Sequence, residues 1–278
     1  MSCIYRCPVC KSGLERVGGS FACNLGHNFD VSREGYVNLL LANQKKTSDP
    51  GDNKAMAEGR QKFLDMGYYD FLSDDIQKIV VAWVATSDSA EHNVLDLGCG
   101  VGFYVGRLSE SFRNIMLWGM DISRSVIQKA AKRYSDVQFS IGSGFNLPFL
   151  DNSLDMVISI FAPFDLSEVC RVLKTDGKVL LVRPGPTHLK ELAELIYDKF
   201  ELQGNTEMLP TESGLNLQKT YNLERKIEIR TNEDLLDLVS MTTYYLHLNE
   251  EKKKRLEQVK SLTVSLDFQI SVYEKSGS

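Results

Sequence analysis

Residues 94–102 have the sequence Val-Leu-Asp-Leu-Gly-Cys-Gly-Val-Gly, and they are the strongest indication of the fold in this chain. It begins as an apolar, strand-like run that contains Asp96, and glycines then occupy alternate positions at Gly98, Gly100 and Gly102. Glycine allows a backbone to turn sharply and to approach a ligand without an intervening side chain. The stretch therefore predicts a strand that leads into a ligand-binding turn, followed by a helix that begins near Gly102.

Strand-like and helical patterns alternate along the chain around this turn. Helices are predicted at 53–66, 73–84, 126–134, 166–173 and 188–200. Strands are predicted at 93–97, 116–120, 139–141, 156–160 and 178–182. Residues 261–274 alternate like a pair of strands, which predicts an antiparallel edge. The expected fold class is therefore α/β, with a doubly wound and mostly parallel sheet.

Possible metal ligands cluster near the N-terminus. Cys7 and Cys10 have the C-x2-C spacing that brings two thiolates to one ion, and Cys23 and His27 provide a second pair after a short connection. Four sulfur or nitrogen ligands complete a tetrahedral zinc shell and leave no position for water, so the pattern indicates a structural ion. Cys3 is the nearest competitor for a place in the shell and ranks well below Cys23.

The length of 278 residues exceeds one average domain, and we expect two domains. Residues 1–38 contain too little apolar sequence to fold by burial alone, so the predicted zinc ion supplies stability to a small N-terminal module. Residues 39–52 change from apolar to polar around a Pro-Gly turn, which is typical of a linker. The predicted second domain spans 53–278.

Charge is unevenly distributed along the chain. Residues 1–48 carry six Lys or Arg against three Asp or Glu, so this segment has a net charge of +3 and the rest of the chain −8. A polyanion would meet the N-terminal segment first, although the same excess also fits an ordinary solvated surface. No apolar run approaches the length of a membrane span, and the N-terminus lacks the pattern of a secretory signal. We therefore expect a cytoplasmic protein without a membrane role.

The residues after the glycine turn indicate which ligand it binds. Asp121 ends the next predicted strand, where a carboxylate accepts both hydrogens of a ribose diol. A dinucleotide fingerprint would place its third glycine at position 103, where this chain has Phe103. The sequence therefore favours S-adenosylmethionine, which has a ribose and no phosphate.

The motifs of this region resemble those of Rossmann-like S-adenosylmethionine-dependent methyltransferases. That resemblance rests on residues 94–102, 119–123, 147–149 and 155–158. The whole chain resembles more closely the bacterial 23S ribosomal RNA (guanine-N1)-methyltransferases, whose members join an N-terminal zinc module to a Rossmann-like methyltransferase domain. The closer resemblance rests on Cys7-Pro8-Val9-Cys10, Cys23, His27 and the stretches 34–39, 49–52, 63–69 and 184–189.

This resemblance implies roles for individual residues. It implies that Cys7, Cys10, Cys23 and His27 hold zinc and that Tyr69, Gly100, Val101 and His188 line the cofactor. A plain structural role stays open for Tyr69 as a packing residue at a helix end and for His188 as a polar helix start. Together with the glycine turn and the ribose acid, the candidate cofactor-binding residues are Tyr69, Asp96, Gly98, Gly100, Val101, Gly102, Asp121 and His188.

The methyl acceptor is expected near the end of the predicted strand 156–160. Phe161 and Phe164 follow this strand, and either is a candidate to stack on an extruded base. Asp165 and Glu168 are the nearest acids, but an acid at a helix N-terminus is more often a cap, so Asp165 is a weak catalytic candidate. The motifs typical of exocyclic-amine and pyrimidine C5 methylation are missing from the sequence, and a purine ring nitrogen remains compatible.

These features predict methyl transfer from S-adenosylmethionine to N1 of a specific guanosine in a structured hairpin of ribosomal RNA. Two alternatives stay open. One is a small-molecule methyltransferase that acts on quinone-like metabolites, and the other is a non-catalytic zinc-module adaptor that binds the cofactor without turnover. The sequence identifies neither the guanosine nor the proton acceptor, and it leaves open whether two chains form a homodimer.

Overall fold

The computed structural model of the protein describes residues 3–44, 51–87, 89, 91–112, 115–197, 209–210 and 214–276. Near its N-terminus lies a small antiparallel sheet, here called the N-terminal sheet, of β1 (Glu15–Val17), β2 (Ser20–Ala22) and β3 (Asn28–Asp30). Phe21 is buried, whereas β1 is exposed along its whole length. A sheet this short and exposed needs a further source of stability.

A second sheet of eight strands forms the body of the fold. Its strands are β4 (Val37–Asn38), β5 (His92–Leu97), β6 (Ile115–Asp121), β7 (Gln138–Ile141), β8 (Leu154–Ile160), β9 (Leu173–Pro184), β10 (Leu215–Ile229) and β11 (Leu262–Lys275). Their order is β10-β11-β9-β8-β5-β6-β7-β4, in which β11 is antiparallel to both of its neighbours and all other neighbouring pairs are parallel. The chain passes from β5 to β6 on one side and later returns to β8 on the other. The carboxyl ends of β5 and β8 therefore form the switch point at which such sheets bind ligands.

Helices accompany this sheet along the described part of the chain. Asn53 caps the first of them because its side chain accepts a hydrogen bond from the N–H of Met56 at 3.0 Å. None of the described helices is both long enough and apolar enough to cross a membrane. The α-helices are α1 (Lys54–Asp65), α2 (Asp70–Ala85), α3 (Phe103–Ser111), α4 (Arg124–Arg133), α5 (Leu166–Val172), α6 (Lys190–Ile196), α7 (Asn232–Ser240) and α8 (Glu250–Glu257), and short 3-10 helices cover Ala42–Gln44 and Thr243–His247.

The predicted alternation of strands and helices is confirmed. The five predicted strands correspond to β5 to β9, because strands buried on both faces have nearly continuous apolar runs. The antiparallel edge is also confirmed, but the prediction of two strands within 261–274 is wrong. These residues contain no glycine, proline or asparagine that favours a turn, and they form the single strand β11. Its antiparallel partner, β10, comes from the other side of α7 and α8.

Two helices differ in extent from their predicted ranges. The helix predicted at 73–84 begins three residues earlier, at Asp70 of α2. The helix predicted at 188–200 is represented by the shorter α6, and residues 198–200 lie outside the described part of the chain. Neither difference changes the order of the elements.

The N-terminal part of the chain shares a hydrophobic core with the eight-stranded sheet. Tyr5 is 1% exposed, and its ring centroid lies 5.0 Å from that of Trp118 in β6 and 5.4 Å from that of Phe149. Leu39, the first residue of the predicted linker, is buried in the same core, and residues 45–50 are not described. The division into 1–38, 39–52 and 53–278 stays a prediction, and its first boundary crosses a packed core.

Candidate functional site

The glycine turn lies between β5 and α3, at the carboxyl ends of the parallel strands, here called the carboxyl edge. Gly98, Gly100 and Gly102 have φ angles of +77°, +54° and +78°, the left-handed region that favours glycine. A Cβ on Gly98 would lie 2.3 Å from the Cβ of Ala162, so this position excludes any side chain. The N–H of Gly98 donates to the carbonyl of Met120 at 2.7 Å, which fixes the turn against β6.

Asp121, the last residue of β6, faces this turn. One carboxylate oxygen accepts a hydrogen bond from the N–H of Gly100 at 3.0 Å, and the other accepts from the N–H of Ser123 at 2.8 Å. A carboxylate oxygen offers two acceptor sites, so each oxygen is still able to accept a hydroxyl hydrogen. Burial raises the pKa of Asp121, while the two amide hydrogen bonds act in the opposite direction. The arrangement fits a diol such as that of a ribose.

Asp96 lies in β5, two residues before the turn, and is almost completely buried. Its Oδ2 has no hydrogen-bond partner among the described residues. Burial raises the pKa of this carboxyl to about 7, and the charge of Asp121 adds to the effect. A buried polar atom without a partner costs about 1–3 kcal/mol. The orphaned oxygen therefore fits a cofactor that brings a hydrogen-bond donor to the glycine turn.

Three other candidates differ in what they contact. Tyr69, between α1 and α2, is buried, and its ring centroid lies 5.5 Å from that of Phe268. Val101 is part of the main hydrophobic core. A Cβ on Gly102 would lie 3.0 Å from the Cβ of Ala130, so this glycine allows α3 to begin against α4. Packing alone thus accounts for Val101 and Gly102, and their contact with a cofactor stays a prediction.

His188 and Phe161 lie together at the carboxyl edge. Nδ1 of His188 accepts a hydrogen bond from the N–H of Asp267 at 3.3 Å, and burial lowers the pKa of the imidazole to about 4. The ring is therefore neutral at pH 7 and carries its proton on Nε2. Phe161, directly after β8, has a φ of +58°, which is rare for an aromatic residue and marks local strain. Its ring is 41% exposed and stacks with that of His188 at a centroid distance of 6.1 Å.

Phe164 and Asp165 are held by the surrounding structure. Phe164 is half-buried and packs against the core that contains Tyr5. Asp165 is the N-cap of α5, because its carboxylate accepts hydrogen bonds from the Ser167 hydroxyl and, at 3.1 Å, from the N–H of Glu168. These bonds lower the pKa of Asp165, the Ser167 hydroxyl having the larger effect. The catalytic role of Asp165 stays a prediction, and its capping role is visible.

Sequence patterns do not identify two further residues at this edge. Phe145, in the loop between β7 and β8, is 60% exposed, although the N–H of Asp165 donates to the carbonyl of Gly144 at 3.0 Å and fixes the loop. The ammonium of Lys11, from the N-terminal part of the chain, donates to the Asn146 side chain at 3.3 Å. An aromatic residue in a Gly-Phe-Asn loop is a weak signal. Phe145 becomes a candidate for ligand contact only because the structure places this loop at the carboxyl edge.

The four predicted metal ligands come together beside the N-terminal sheet. The ligand atoms of Cys7, Cys10, Cys23 and His27 all lie within 4.8 Å of one another, and Cys3 is not part of this cluster. Nδ1 of His27 lies 3.3 Å from Sγ of Cys23 and 3.7 Å from Sγ of Cys7, and the Sγ atoms of Cys10 and Cys23 are 3.6 Å apart. Bonds of about 2.0–2.3 Å to a tetrahedral zinc ion give ligand separations of about 3.3–3.8 Å. The donor set and its spacing therefore suit zinc.

Two families match the chain, one in each part. The family described as the N-terminal domain of RlmA matches residues 5–48, and the family described as a methyltransferase domain matches residues 88–258, which is more than half of the chain. A similar solved structure is BH2331 from Bacillus halodurans C-125, described provisionally as a methyltransferase. It has a TM-score of 0.52 and 16% identity, and the match covers 72% of this chain and 98% of that chain. At this identity the likeness shows the fold alone.

Two curated relatives are similar over larger parts of the sequence. The 23S rRNA (guanine(748)-N(1))-methyltransferase of Streptomyces fradiae is 32% identical over 192 residues, which cover 69% of this chain and 67% of the relative. YxjB of Bacillus subtilis (strain 168), named provisionally as a 23S rRNA (guanine-N(1)-)-methyltransferase, is 28% identical over 97% of this chain and 96% of its own length. The chain therefore belongs to the methyltransferase family whose members carry the RlmA type of N-terminal zinc ribbon.

Proposed function

We propose that this protein transfers a methyl group from S-adenosylmethionine to N1 of a specific guanosine in large-subunit ribosomal RNA. The family supports methyl transfer, and the names of the two relatives support the RNA acceptor. The observation that carries the proposal is the contact between Lys11 and Asn146, which sets the metal cluster's part of the chain beside the carboxyl edge. RNA held by the N-terminal part would therefore reach the edge that carries the glycine turn.

The proposed cofactor site consists of groups with complementary chemistry. Gly100 places no side chain between the turn and a ligand, Asp121 accepts the ribose hydroxyls, and the free oxygen of Asp96 accepts from the ammonium of the methionine part. When bound, S-adenosylmethionine supplies an electrophilic methyl group on a sulfonium. Zinc at the four-ligand cluster has a structural role in this proposal, because four protein ligands leave no coordination position for a substrate.

The chain's own contribution to the reaction is mainly alignment. Methyl transfer is an in-line displacement in which the carbon–sulfur bond breaks while the carbon–nitrogen bond forms, so correct positioning supplies much of the rate. Phe161 is the proposed stacking residue for the extruded guanine, because its strained backbone presents an exposed ring. The N1 proton of guanine has to leave. His188 is not assigned as its acceptor, since Nδ1 already accepts from Asp267 and Nε2 already carries a proton.

A methylation assay tests the proposal. The protein is incubated with labelled S-adenosylmethionine and unmodified bacterial ribosomal RNA, and primer extension then locates modified bases, because N1 methylation blocks base pairing. A single stop at a guanosine of large-subunit RNA, absent without the cofactor, is the expected result. Turnover with quinone-like metabolites and not with RNA would replace the proposal by the small-molecule alternative. Cofactor binding without turnover on either acceptor would identify an adaptor.

A further inference from the structure

Arg60 of α1 reaches the glycine turn from outside the Rossmann-like sequence motifs. A Cβ on Gly100 would lie 3.6 Å from Cδ of Arg60, so the arginine side chain passes directly over the turn. Its side chain is 25% exposed, and Nε donates to Oδ2 of Asp52 at 2.7 Å. The ion pair with Asp52 therefore holds the guanidinium of Arg60 in place.

Some N–H groups of the Arg60 guanidinium make no hydrogen bond to the described residues. Nη2 donates to the carbonyl of Met241 at 3.3 Å, and together with the bond from Nε to Asp52 this uses two of the five N–H groups of Arg60. Nη1 makes no hydrogen bond to any residue that the structure describes. A partly enclosed arginine with a free pair of N–H groups is suited to a carboxylate or phosphate.

The surroundings of Arg60 indicate which anion fits. Desolvation raises the pKa values of Tyr69, Tyr104 and Asp121, and the positive charge of Arg60 acts in the opposite direction on all three. Arg60 lies over Gly100, and the orphaned Oδ2 belongs to Asp96, in the strand that leads into the same turn. A ligand that brings an ammonium to a carboxylate and a carboxylate to a guanidinium would satisfy both unpaired groups. An α-amino acid has this pair of charges on adjacent atoms.

We propose that Arg60 binds the α-carboxylate of the methionine part of the cofactor, while Asp96 binds its α-ammonium. This inference rests on the proposed cofactor and not on the proposed RNA acceptor. Arg60 thus selects ligands that carry the amino acid. The adenosine part is selected by other residues, which include Asp121.

Equilibrium binding to two nucleosides tests the inference. S-adenosylhomocysteine and 5′-methylthioadenosine share the adenosine and the thioether sulfur, but the second lacks the amino acid. Calorimetry on the full chain is expected to show that Arg60→Gln weakens S-adenosylhomocysteine binding by about 10- to 100-fold, the loss typical of one charge-assisted hydrogen-bonded pair, and leaves 5′-methylthioadenosine binding nearly unchanged. Arg60→Lys, which keeps the charge, should restore part of the affinity.

Asp52→Asn is the matched control. It breaks the same ion pair without removing the guanidinium, so the preference for S-adenosylhomocysteine over 5′-methylthioadenosine should persist. Equal weakening of both nucleosides by Arg60→Gln would overturn the inference and make Arg60 a support of the turn. An unchanged affinity for S-adenosylhomocysteine would also overturn it. Wild-type protein that binds neither nucleoside would overturn the proposed cofactor, whereas missing RNA methylation would leave this inference intact.

Discussion

The N-terminal metal cluster and the carboxyl edge differ in whether their polar groups can all be satisfied within the protein and one ion. In the cluster, four ligand atoms lie within 4.8 Å of one another, so a single ion would satisfy all of them at once. At the carboxyl edge, Oδ2 of Asp96 has no described partner and Phe161 has a strained backbone. The first arrangement contributes stability, and the second keeps unpaired and strained groups that a ligand can use. This contrast distinguishes a structural site from a binding site.

Loss of the metal should have the largest effect. Cys10→Ser removes one of four ligands, and the short, exposed N-terminal sheet has little apolar burial of its own. We expect the metal content to fall from about one ion per chain to nearly none, as measured by mass spectrometry, and amide exchange in the N-terminal sheet to become fast. Cys3→Ser is the control, because Cys3 lies outside the cluster. Equal metal content in both variants would contradict the assigned ligands.

Tyr5→Ala tests whether the N-terminal part is an independent unit or part of the main core. Its fully buried ring packs on Trp118 and Phe149, so truncation should lower the free energy of unfolding by about 3–5 kcal/mol. Urea denaturation followed by tryptophan fluorescence measures this loss, in a Trp83→Phe background that leaves Trp118 as the reporter. Tyr5→Phe keeps the ring and should cost much less. Unchanged unfolding of Trp118 in Tyr5→Ala would show that the two parts are energetically separate.

The orphaned Asp96 predicts that the stability of the fold depends on pH. The folded state retains the proton of this carboxyl up to about pH 7, whereas an unfolded aspartate releases it near pH 4. A raised folded pKa therefore makes the protein less stable as pH rises through this interval. Relative to Asp96→Asn, wild type should lose on the order of 2–3 kcal/mol of unfolding free energy between pH 4 and pH 7. Denaturation curves at several pH values measure the difference, and parallel pH profiles would contradict it.

Gly18 and Gly98 both have positive φ angles, but only Gly98 lies close to another residue. Alanine substitutions at these two positions therefore distinguish the effect of backbone strain from the effect of a close contact. Gly18, in the turn between β1 and β2, has a φ of +60° and no atom within 4 Å of a built Cβ, whereas at Gly98 that Cβ would meet Ala162. Alanine at either position should cost about 1–2 kcal/mol of backbone strain. Gly98→Ala should in addition weaken S-adenosylhomocysteine binding by about 10-fold, a further loss of about 1.4 kcal/mol. This loss is expected because the overlap with Ala162 would shift the turn, so calorimetry that finds the same affinity in both variants would contradict a ligand at the turn.

The buried parallel strands and the metal ligands were accessible from sequence because their signals are local. The apolar runs of β5, β6 and β8 and the cysteine spacing each lie within a few neighbouring residues. Strand β10 was not predicted, and the reason is its exposure. It is an edge strand with most side chains exposed, so its residues lack a continuous apolar pattern, and its partner β11 lies beyond two helices.

The less predictable part of the site comes from distant segments of the chain. Arg60 reaches Gly100 from α1, and the Nδ1 atom of His188 is oriented by the N–H of Asp267 in β11. No spacing rule connects such residues, because the sheet order brings them together. The family resemblance indicated His188, but its tautomer depends on the hydrogen bond from Asp267, which no sequence pattern predicts.

The smallest expected effect concerns Phe145, and it tests which ligand the carboxyl edge presents this ring to. An exposed ring on a loop fixed by hydrogen bonds is ready to stack on a nucleobase, and such stacking contributes about 1–3 kcal/mol. If the base belongs to RNA, Phe145→Ala should raise KM for the RNA about 5- to 10-fold and leave S-adenosylhomocysteine affinity unchanged, while Phe145→Tyr behaves like wild type. Steady-state kinetics measures KM for the RNA, and calorimetry measures the affinity for S-adenosylhomocysteine. A parallel loss of S-adenosylhomocysteine affinity would instead place the ring against the cofactor's adenine, and the carboxyl edge would then present Phe161 without Phe145 to the RNA.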